Sequence, residues 1–161
     1  MMNEISFTRK LDEDGISHIK QFEGFRTHAY KDSAGIWTVG YGSTRIHGRA
    51  VQANDVVTEH QALNQMHLDL ESFERTVNES VKVYLTQSQY NALVSFTYNV
   101  GSHAFKTSTL LKKLNQSDYH GCAQQFMMWI FAGGKPIEGL VTRRRLEQKL
   151  FVKDLSNNEH Y

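Results

Sequence analysis

Two capping-box spacings set the strongest limits on how this 161-residue chain can fold. In such a box a threonine caps a helix N-terminus, and a glutamine three positions later binds the backbone N–H of that threonine. The two boxes are Thr58 with Gln61 and Thr86 with Gln89. They predict helices over about 58–79 and 86–100, with Gly101 as the stop of the second helix.

The remaining pattern predicts one short helix before these two and three after them. Apolar spacing predicts an amphipathic helix over about 14–22, which ends at Gly24. A segment rich in β-branched and aromatic residues predicts a hairpin or meander over about 30–52. The three later helices are expected near 107–115, 118–132 and 140–153. The fold class is therefore α+β, with one domain over 1–161, a small acidic β-containing lobe (about 14–56) and a larger, more basic helical lobe (about 57–161).

Charge and composition exclude several classes of protein. The formal net charge is +1, but residues 1–80 carry −4 and residues 81–161 carry +5. The single cysteine, Cys122, cannot form an intramolecular disulfide and is expected to be a buried thiol. No apolar stretch is long enough to span a bilayer. Residues 1–13 are too charged for an export signal, so none is expected.

Glu23 is the first candidate for chemistry. On a helix over 14–23 it shares a face with Ile16 and Ile19, so its carboxyl points toward the apolar side. The helix C-terminus also disfavours negative charge, and both effects predict a raised pKa suited to a general acid. The alternative from position alone is a solvated carboxylate at a frayed helix end.

A possible ligand surface follows in the segment KDSAGIWTVGYGST. Asp32 opens an Asp-x-x-Gly turn, which by itself requires only a local hydrogen bond. In a strand, Thr38 shares a face with Gly40 and Gly42, and glycines weaken a strand unless something approaches the backbone closely. We interpret that bare face as a place where a ligand lies, with a bent edge strand as the alternative.

Other chemistries have no support in the sequence. The eight histidines form no metal-ligand spacing, and no nucleotide-binding or serine-hydrolase motif occurs, so no metal and no cofactor are expected. The apolar run 126–131 is interpreted as helix core. The single RRR cluster in a nearly neutral chain falls short of a nucleic-acid-binding face.

Glu23, eight residues, Asp32, five residues and Thr38 together resemble the catalytic pattern of the phage-type lysozymes, which are the muramidase endolysins of glycoside hydrolase family twenty-four. The surrounding FEGFRTHAYKDSAGIWTVGYGST is similar to that family throughout, as are FTYNVGSHAFKTSTLLKKLN and WIFAGGKPIEGLVTRRRLE. The matches cover about residues 14–153. The resemblance implies a lysozyme-like fold with the active-site cleft between the two lobes.

The resemblance also implies hydrolysis of the β-1,4 bond between N-acetylmuramic acid and N-acetylglucosamine in peptidoglycan. Glu23 would protonate the glycosidic oxygen, while Asp32 and Thr38 would hold a water on the opposite face of the sugar. Because a threonine hydroxyl is a weak nucleophile unaided, inversion is favoured over a covalent intermediate.

Further substrate contacts carried over from the family lie in the helical lobe. Tyr98, Asn99 and Ser108 are candidate saccharide contacts, with core packing and helix capping as the alternatives. Arg144 is expected to pair with or orient the catalytic carboxylates, or else to belong to a solvated face over Arg143–Arg145.

The implied partners and location complete the expectations. We expect a monomer that acts on peptidoglycan strands, accumulates in the host bacterial cytoplasm, and reaches the periplasm and cell wall through a separate holin, causing lysis. The segment 141–153 carries +4 and predicts an amphipathic basic helix. That helix could contact an anionic wall or outer-membrane surface. Two rivals remain: a catalytically silent glycan-binding module, and an enzyme of this fold that acts on chitin or as a transglycosylase.

Overall fold

The structure is a computed structural model that describes residues 9–155. The helices are α1 (Glu13–Glu23), α2 (Glu59–Ser80), α3 (Gln87–Val100), α4 (Ser102–Lys106), α5 (Thr109–Asn115), α6 (Tyr119–Gln125) and α7 (Glu138–Val152). The strands are β1 (Arg26–Lys31), β2 (Trp37–Gly40), β3 (Arg45–Ile46), β4 (Arg49–Ala50), β5 (Phe131–Ala132) and β6 (Lys135–Pro136). The strands form three antiparallel pairs, β1 with β2, β3 with β4 and β5 with β6. The predicted α+β class is confirmed.

Backbone contacts divide the described chain into two units. One unit is Ile16–Ser72, and the other joins residues 9–15 to residues 73–155. The first holds five Lys/Arg and six Asp/Glu, and the second holds 13 and nine. The β-containing unit therefore carries −1 and the described part of the other unit +4. The contrast in charge is smaller than the two sequence halves indicate, because the acidic residues just before Gly15 and just beyond Ser72 belong to the larger unit.

Both predicted capping boxes are present. At the start of α2, Gln61 N donates to Thr58 Oγ1 at 3.1 Å and Thr58 N donates to Gln61 Oε1 at 2.9 Å. The same reciprocal pair, at the same distances, joins Thr86 and Gln89 at the start of α3. Each box satisfies two backbone groups that a helix end leaves unpaired, which explains why both helices begin where the sequence predicts.

The predicted helix over 118–132 is wrong beyond residue 125. After α6 the chain makes a 3-10 turn over Phe126–Met128 and then a short hairpin, β5 and β6. Gly133 and Gly134 lie between these strands at φ +61° and +81°, conformations that turn residues without a side chain adopt readily. The run 126–131 is accordingly not a buried helix face, since Phe126 is buried but Met128 and Phe131 are exposed.

The larger unit has an aromatic core. Phe96 on α3 meets Phe105, Phe126 and Trp129 edge to face, with ring centroids 5.4–6.4 Å apart. Phe126 in turn packs on Phe151 of α7 at 5.5 Å. Each such buried side chain contributes about 1.5–3 kcal/mol, which ties α3 and α7 to the turn that precedes β5.

The smaller unit has its own aliphatic core. Its fully or nearly buried apolar residues come from α1, the strand region and the first part of α2: Ile19, Val39, Tyr41, Ile46, Val51, Val57, Ala62, Met66 and Leu70. In residues 9–155 no helix is both long and apolar enough to cross a membrane. Of the segment 1–13 for which no export signal was expected, residues 1–8 lie outside the described range.

Candidate active site

Glu23 is the last residue of α1, and the helix stops because Gly24 takes a left-handed conformation. Gly24 has φ +69°, and its N–H donates to Lys20 O at 3.0 Å. Glu23 is half-buried. The sequence therefore placed Glu23 correctly at a helix C-terminus, on the chain segment that leads directly into β1.

Asp32 lies in the tight connection between β1 and β2. Its Oδ1 accepts hydrogen bonds from the N–H groups of Ala34 and Ile36, both at 2.9 Å. Gly35, at φ +80°, donates its N–H to Asp32 O at 2.9 Å and completes the turn. Two backbone donors stabilise the negative charge of the carboxylate and fix its orientation. Within the described part of the chain, Oδ2 has no hydrogen-bond partner.

Thr38 lies on β2, two residues beyond the same turn. Its Oγ1 donates to Ile36 O at 2.9 Å, and the residue is 3% exposed. Thr38 pairs with Tyr30 of β1, so its position is fixed by the sheet as well as by its own side chain. The β1–β2 hairpin thus brings Asp32 and Thr38 together around one residue, Ile36.

Gly40 and Gly42 lie in a tight turn that the reciprocal backbone bonds between Val39 and Ser43 close, both at 2.9 Å. Their φ values are +69° and +85°, which favour glycine. A Cβ on Gly40 would lie 2.9 Å from the Cβ of Ala62 on α2. Turn geometry accounts for both glycines without a ligand, and the approach of α2 adds a second reason at Gly40. A saccharide contact at either glycine stays a prediction.

The other predicted contacts lie in the larger unit, each with a structural partner. Tyr98 is half-buried, and its ring packs edge-on against Phe73 at 5.3 Å. Ser108 caps α5: its Oγ accepts from Leu111 N at 3.0 Å and donates to Phe105 O at 2.7 Å. The capping alternative for Ser108 is therefore present in the structure.

Arg144 is buried in an ion cluster on α7. Arg143 Nε donates to Glu147 Oε2 at 3.0 Å, and Arg144 Nη1 donates to Glu147 Oε1. Ser95 Oγ on α3 donates to Glu147 Oε2 at 2.5 Å. Arg143, Arg144, Glu147 and Ser95 are at most 5% exposed. The solvated-face alternative for Arg143–Arg145 is wrong for the first two and fits only Arg145.

Arg144 reaches beyond the cluster to the end of α3. Its Nε donates to Trp129 O at 3.0 Å, its Nη2 donates to Asn99 Oδ1, and its guanidinium lies 5.0 Å from the centre of the Phe96 ring. Burial lowers the pKa of Arg144, and the Glu147 carboxylate opposes this shift. The sequence analysis overlooked Glu147, although its i+3 and i+4 spacing from two arginines was a usable signal.

Two further polar contacts shape the smaller unit. Ser43 Oγ donates to Asp69 Oδ2 of α2 at 2.6 Å, and burial raises the pKa of Asp69. Tyr41 donates to Glu59 Oε2 at 2.7 Å, and burial together with that carboxylate raises the pKa of Tyr41 to about 12. Among the described residues, no cluster of metal-ligating side chains occurs.

Burial of Cys122 is confirmed. Its side chain is fully shielded from solvent, and this burial raises the pKa of the thiol. The thiol is therefore a packing group rather than a nucleophile.

The helical scaffold, the short β-hairpins and the carboxylates at Glu23 and Asp32 agree with a sugar-cleaving hydrolase of the lysozyme type. The phage lysozyme family model matches residues 20–147, and the chain belongs to that family. An endolysin of Acyrthosiphon pisum secondary endosymbiont phage 1 is 43% identical over 88% of this chain and 97% of that protein. An endolysin of Bacillus phage B103 is 42% identical over 92% of this chain and 56% of that protein.

A solved structure supports the same assignment. The endolysin from Escherichia coli O157:H7 phage FAHEc1 is 37% identical, with a TM-score of 0.85 over 96% of this chain and 100% of that one. The resemblance inferred from the sequence is confirmed, and the protein is a peptidoglycan-hydrolysing enzyme.

Proposed function

We propose that this protein is an endolysin that hydrolyses the β-1,4 bond between N-acetylmuramic acid and N-acetylglucosamine, with Glu23 as general acid. One observation carries the proposal. Glu23, Asp32 and Thr38 keep the spacing of the family's catalytic pattern, and they lie at a helix end, in a hairpin turn and on the following strand of one unit. The leaving sugar oxygen needs a proton as the bond breaks, and a carboxylic acid at Glu23 would supply it.

Asp32 and Thr38 would hold the attacking water. The Thr38 hydrogen is already donated to Ile36 O, so Oγ1 offers only lone pairs to a water. Asp32 Oδ1 is used by backbone N–H groups, which leaves Oδ2 as the acceptor. A water that donates one hydrogen to each group would direct its own lone pair away from both, toward the anomeric carbon.

This arrangement favours inversion. Attack by a water on the face opposite the leaving group inverts the anomeric configuration, whereas a carboxylate nucleophile would retain it. Asp32 would also stabilise the positive charge that develops on the sugar ring and accept the proton of the water as the new bond forms.

The proposed saccharide contacts differ in what they can offer. Asn99 is exposed with its Oδ1 bound to Arg144, so its amide hydrogens would be the groups presented to a sugar. Arg144 is fully buried and would act through Asn99 rather than by direct contact. Tyr98 would offer a ring edge, and Ser108 only a lone pair, while Gly40 and Gly42 would offer backbone groups.

The biological setting is proposed on the same basis. The protein would act as a monomer on the wall of a bacterial host, accumulating in the cytoplasm and reaching the periplasm through a separate holin. Its exposed C-terminal charges would add attraction to an anionic wall or outer-membrane surface. No nucleic acid partner is proposed.

Product analysis of purified muropeptides tests the proposed reaction. Digestion should give water-terminated muramic acid ends, and proton NMR taken before mutarotation should show the α-anomer first. An initial β-anomer would indicate a retaining route, and 1,6-anhydro ends would indicate a transglycosylase. If the folded protein leaves the glycan strands intact, the alternative of a catalytically silent glycan-binding module is supported instead.

A further inference from the structure

Arg26 and Tyr30, both on β1, form a contact in the smaller unit that the proposed reaction does not yet use. The guanidinium carbon of Arg26 lies over the Tyr30 ring, 4.4 Å from its centre. That distance is well within the range of a cation–π contact. The register between β1 and β2 shifts between these two residues, an irregularity of the kind that re-aims side chains. Tyr30 is half-buried and Arg26 is exposed, so the ring supports the charged group from below.

Sheet register places this contact next to Thr38. Tyr30 lies directly opposite Thr38 in the pairing of β1 with β2. Opposed residues of an antiparallel pair point to the same face of the sheet, with Cβ atoms about 4.5–5.5 Å apart. Lys31 and Trp37, the next opposed pair, point to the other face. The Arg26 guanidinium therefore lies on the face of the sheet that carries the Thr38 side chain.

The Arg26 guanidinium keeps its hydrogen-bond donors for a ligand. In the same unit, Arg49 donates to both carboxylate oxygens of Asp55, and Arg45 donates to Gly48 O. Among residues 9–155, none accepts a hydrogen bond from Arg26 or forms an ion pair with it. The N–H groups of a guanidinium lie in its own plane, so contact with a ring leaves them available. Their fork matches a carboxylate, to which it donates two parallel hydrogen bonds.

The substrate of the proposed reaction carries a carboxyl group close to the bond that breaks. Muramic acid differs from glucosamine by a lactyl ether on carbon 3 of the ring. Carbon 1, which the water held by Asp32 and Thr38 would attack, is only two carbons away. A carboxylate bound there would be repelled by the negative charge of Asp32 in a unit that carries −1. A guanidinium on the same face offsets that repulsion and distinguishes muramic acid from a neutral sugar.

We propose that Arg26 is a specificity-determining residue, which binds a carboxylate of the muramic acid residue being cleaved and so favours muramoyl glycans over chitin. The carboxylate has two sources. On strands without stem peptides it is the lactyl group itself. In intact walls the lactyl carboxyl is joined to the stem peptide as an amide, and a carboxylate of that peptide takes its place. The proposal rests on the proposed function, because it requires the sugar to lie against Asp32 and Thr38.

Three glycans test the proposal and separate the two sources. They are intact walls, strands stripped of stems by an amidase, and stripped strands whose lactyl carboxylates have been converted to neutral amides. We expect Arg26→Gln to raise KM about tenfold on at least one of the first two, with kcat unchanged, and to match the parent on the third. A rise on stripped strands identifies the lactyl carboxylate, and a rise on intact walls alone identifies the stem. Parent-like KM on all three glycans, or the same rise on all three, would overturn the proposal.

Lys31→Gln is the matched control for Arg26→Gln. It removes the same charge from the same strand, together with a cation–π contact on the opposite face, where Lys31 Nζ lies 5.3 Å from the centre of the Trp37 ring. It should keep the parent KM on all three glycans. Arg26→Lys keeps the charge but loses the planar fork, so it should restore KM only in part. A Lys31→Gln variant that raises KM as much as Arg26→Gln does would reduce the effect to net charge and rule out the assignment.

Binding measured without cleavage separates this proposal from the proposed function. Soluble tetrasaccharides in the stem-bearing, acid and amide forms are titrated into the Glu23→Gln protein by calorimetry. We expect at least one carboxylate-bearing form to bind about tenfold more tightly than the amide, and Arg26→Gln, added to Glu23→Gln, to abolish that preference. If the preference is present but the parent cleaves none of the glycans, the proposed reaction fails while the carboxylate site stands. If the parent cleaves walls and neither carboxylate-bearing form is preferred, the proposal for Arg26 fails alone.

Discussion

Asp32 and Thr38 both bind Ile36: Ile36 N donates to Asp32 Oδ1, and Ile36 O accepts from Thr38 Oγ1. The two side chains are therefore oriented through one short piece of backbone. In this arrangement a water could donate a hydrogen bond to the Asp32 carboxylate and another to the Thr38 hydroxyl oxygen. A substitution at Asp32 that keeps an oxygen to accept from Ile36 N but removes the negative charge therefore separates chemistry from folding.

Glu23→Gln keeps the shape of the side chain but cannot donate the proton that the leaving oxygen needs. We expect turbidity clearance of peptidoglycan to fall by at least about 100-fold, with an unchanged thermal midpoint. Glu13→Gln, at the exposed start of the same helix, should clear walls at the parent rate. A folded Glu23→Gln enzyme with near-parent activity would exclude Glu23 as the acid.

Asp32→Asn retains an oxygen that can accept from Ala34 and Ile36 but removes the negative charge. We expect lysis to drop by about 100-fold or more in a folded protein, because the amide cannot accept the proton of the attacking water. Thr38→Val should cost less if Asp32 alone still holds the water, and Thr38→Ser should stay close to the parent. Parent-like rates on a soluble glycan for Asp32→Asn would contradict the assigned role.

Glu147→Gln leaves two buried guanidiniums without their carboxylate. Breaking such a buried ion cluster typically costs about 3–5 kcal/mol, so we expect a loss of that size in the free energy of unfolding measured in urea. Lys149→Gln, exposed on the same helix, should change that energy by about 0.5 kcal/mol or less. A Glu147→Gln variant as stable as the parent would show that the cluster does not stabilise the fold.

The ion pair of Asp55 with Arg49 should make the stability of the smaller unit sensitive to acid. The Arg49 guanidinium, which binds both carboxylate oxygens at 2.8 Å, and the N–H of Gln52 hold the pKa of Asp55 far below its usual value. A lowered folded-state pKa gives stability that is fully present above about pH 4 and is lost as the pH falls further.

Asp55→Asn should therefore flatten the acid limb of a plot of urea midpoint against pH, and it should lower the midpoint at neutral pH. Glu71→Gln, at an exposed position on α2, provides the matched control and should leave the limb as steep as in the parent. If the urea midpoint falls equally steeply with acid in Asp55→Asn and in the parent, Asp55 is not the source of the acid sensitivity.

The predicted attraction of the segment 141–153 to an anionic wall depends on fewer residues than the sequence indicates. Because Arg143 and Arg144 are buried around Glu147, the exposed basic residues in 141–153 are Arg145, Lys149 and Lys153. We expect their combined change to glutamine to weaken binding to whole walls and to reduce its salt dependence, since screening shortens from about 10 Å at 0.1 M salt to about 3 Å at 1 M. Turnover of a small neutral oligosaccharide should not change.

A triple variant with the same loss of charge elsewhere provides the control for that experiment. The exposed lysines suited to it are Lys106, Lys112 and Lys135. If both triple variants bind walls equally well, the C-terminal helix has no special role. If the C-terminal variant binds walls as well as the parent does, the three replaced charges are solvated surface groups with no part in wall binding.

The elements predicted best were those with local signals. Thr58 and Thr86 carry their helix starts in the sequence itself, and the turn at Asp32 depends on residues within four positions. The hairpin after Phe126 was missed because its apolar run fits a helix equally well, and only packing around Phe96 decides which side chains are buried. The ion cluster joins α3 to α7 across more than 40 residues, a separation that helix periodicity does not span.

Close packing between Gly40 and Ala62 limits which residues these two positions can hold. With the two Cβ positions only 2.9 Å apart, the pair has room for a single methyl group, and Ala62 already supplies it. Ala62→Gly would free the space but not the left-handed backbone of residue 40, so a compensating exchange of the two residues would still be strained. Variation at this contact is therefore confined to position 62, because the backbone at position 40 favours glycine whatever residue lies opposite it.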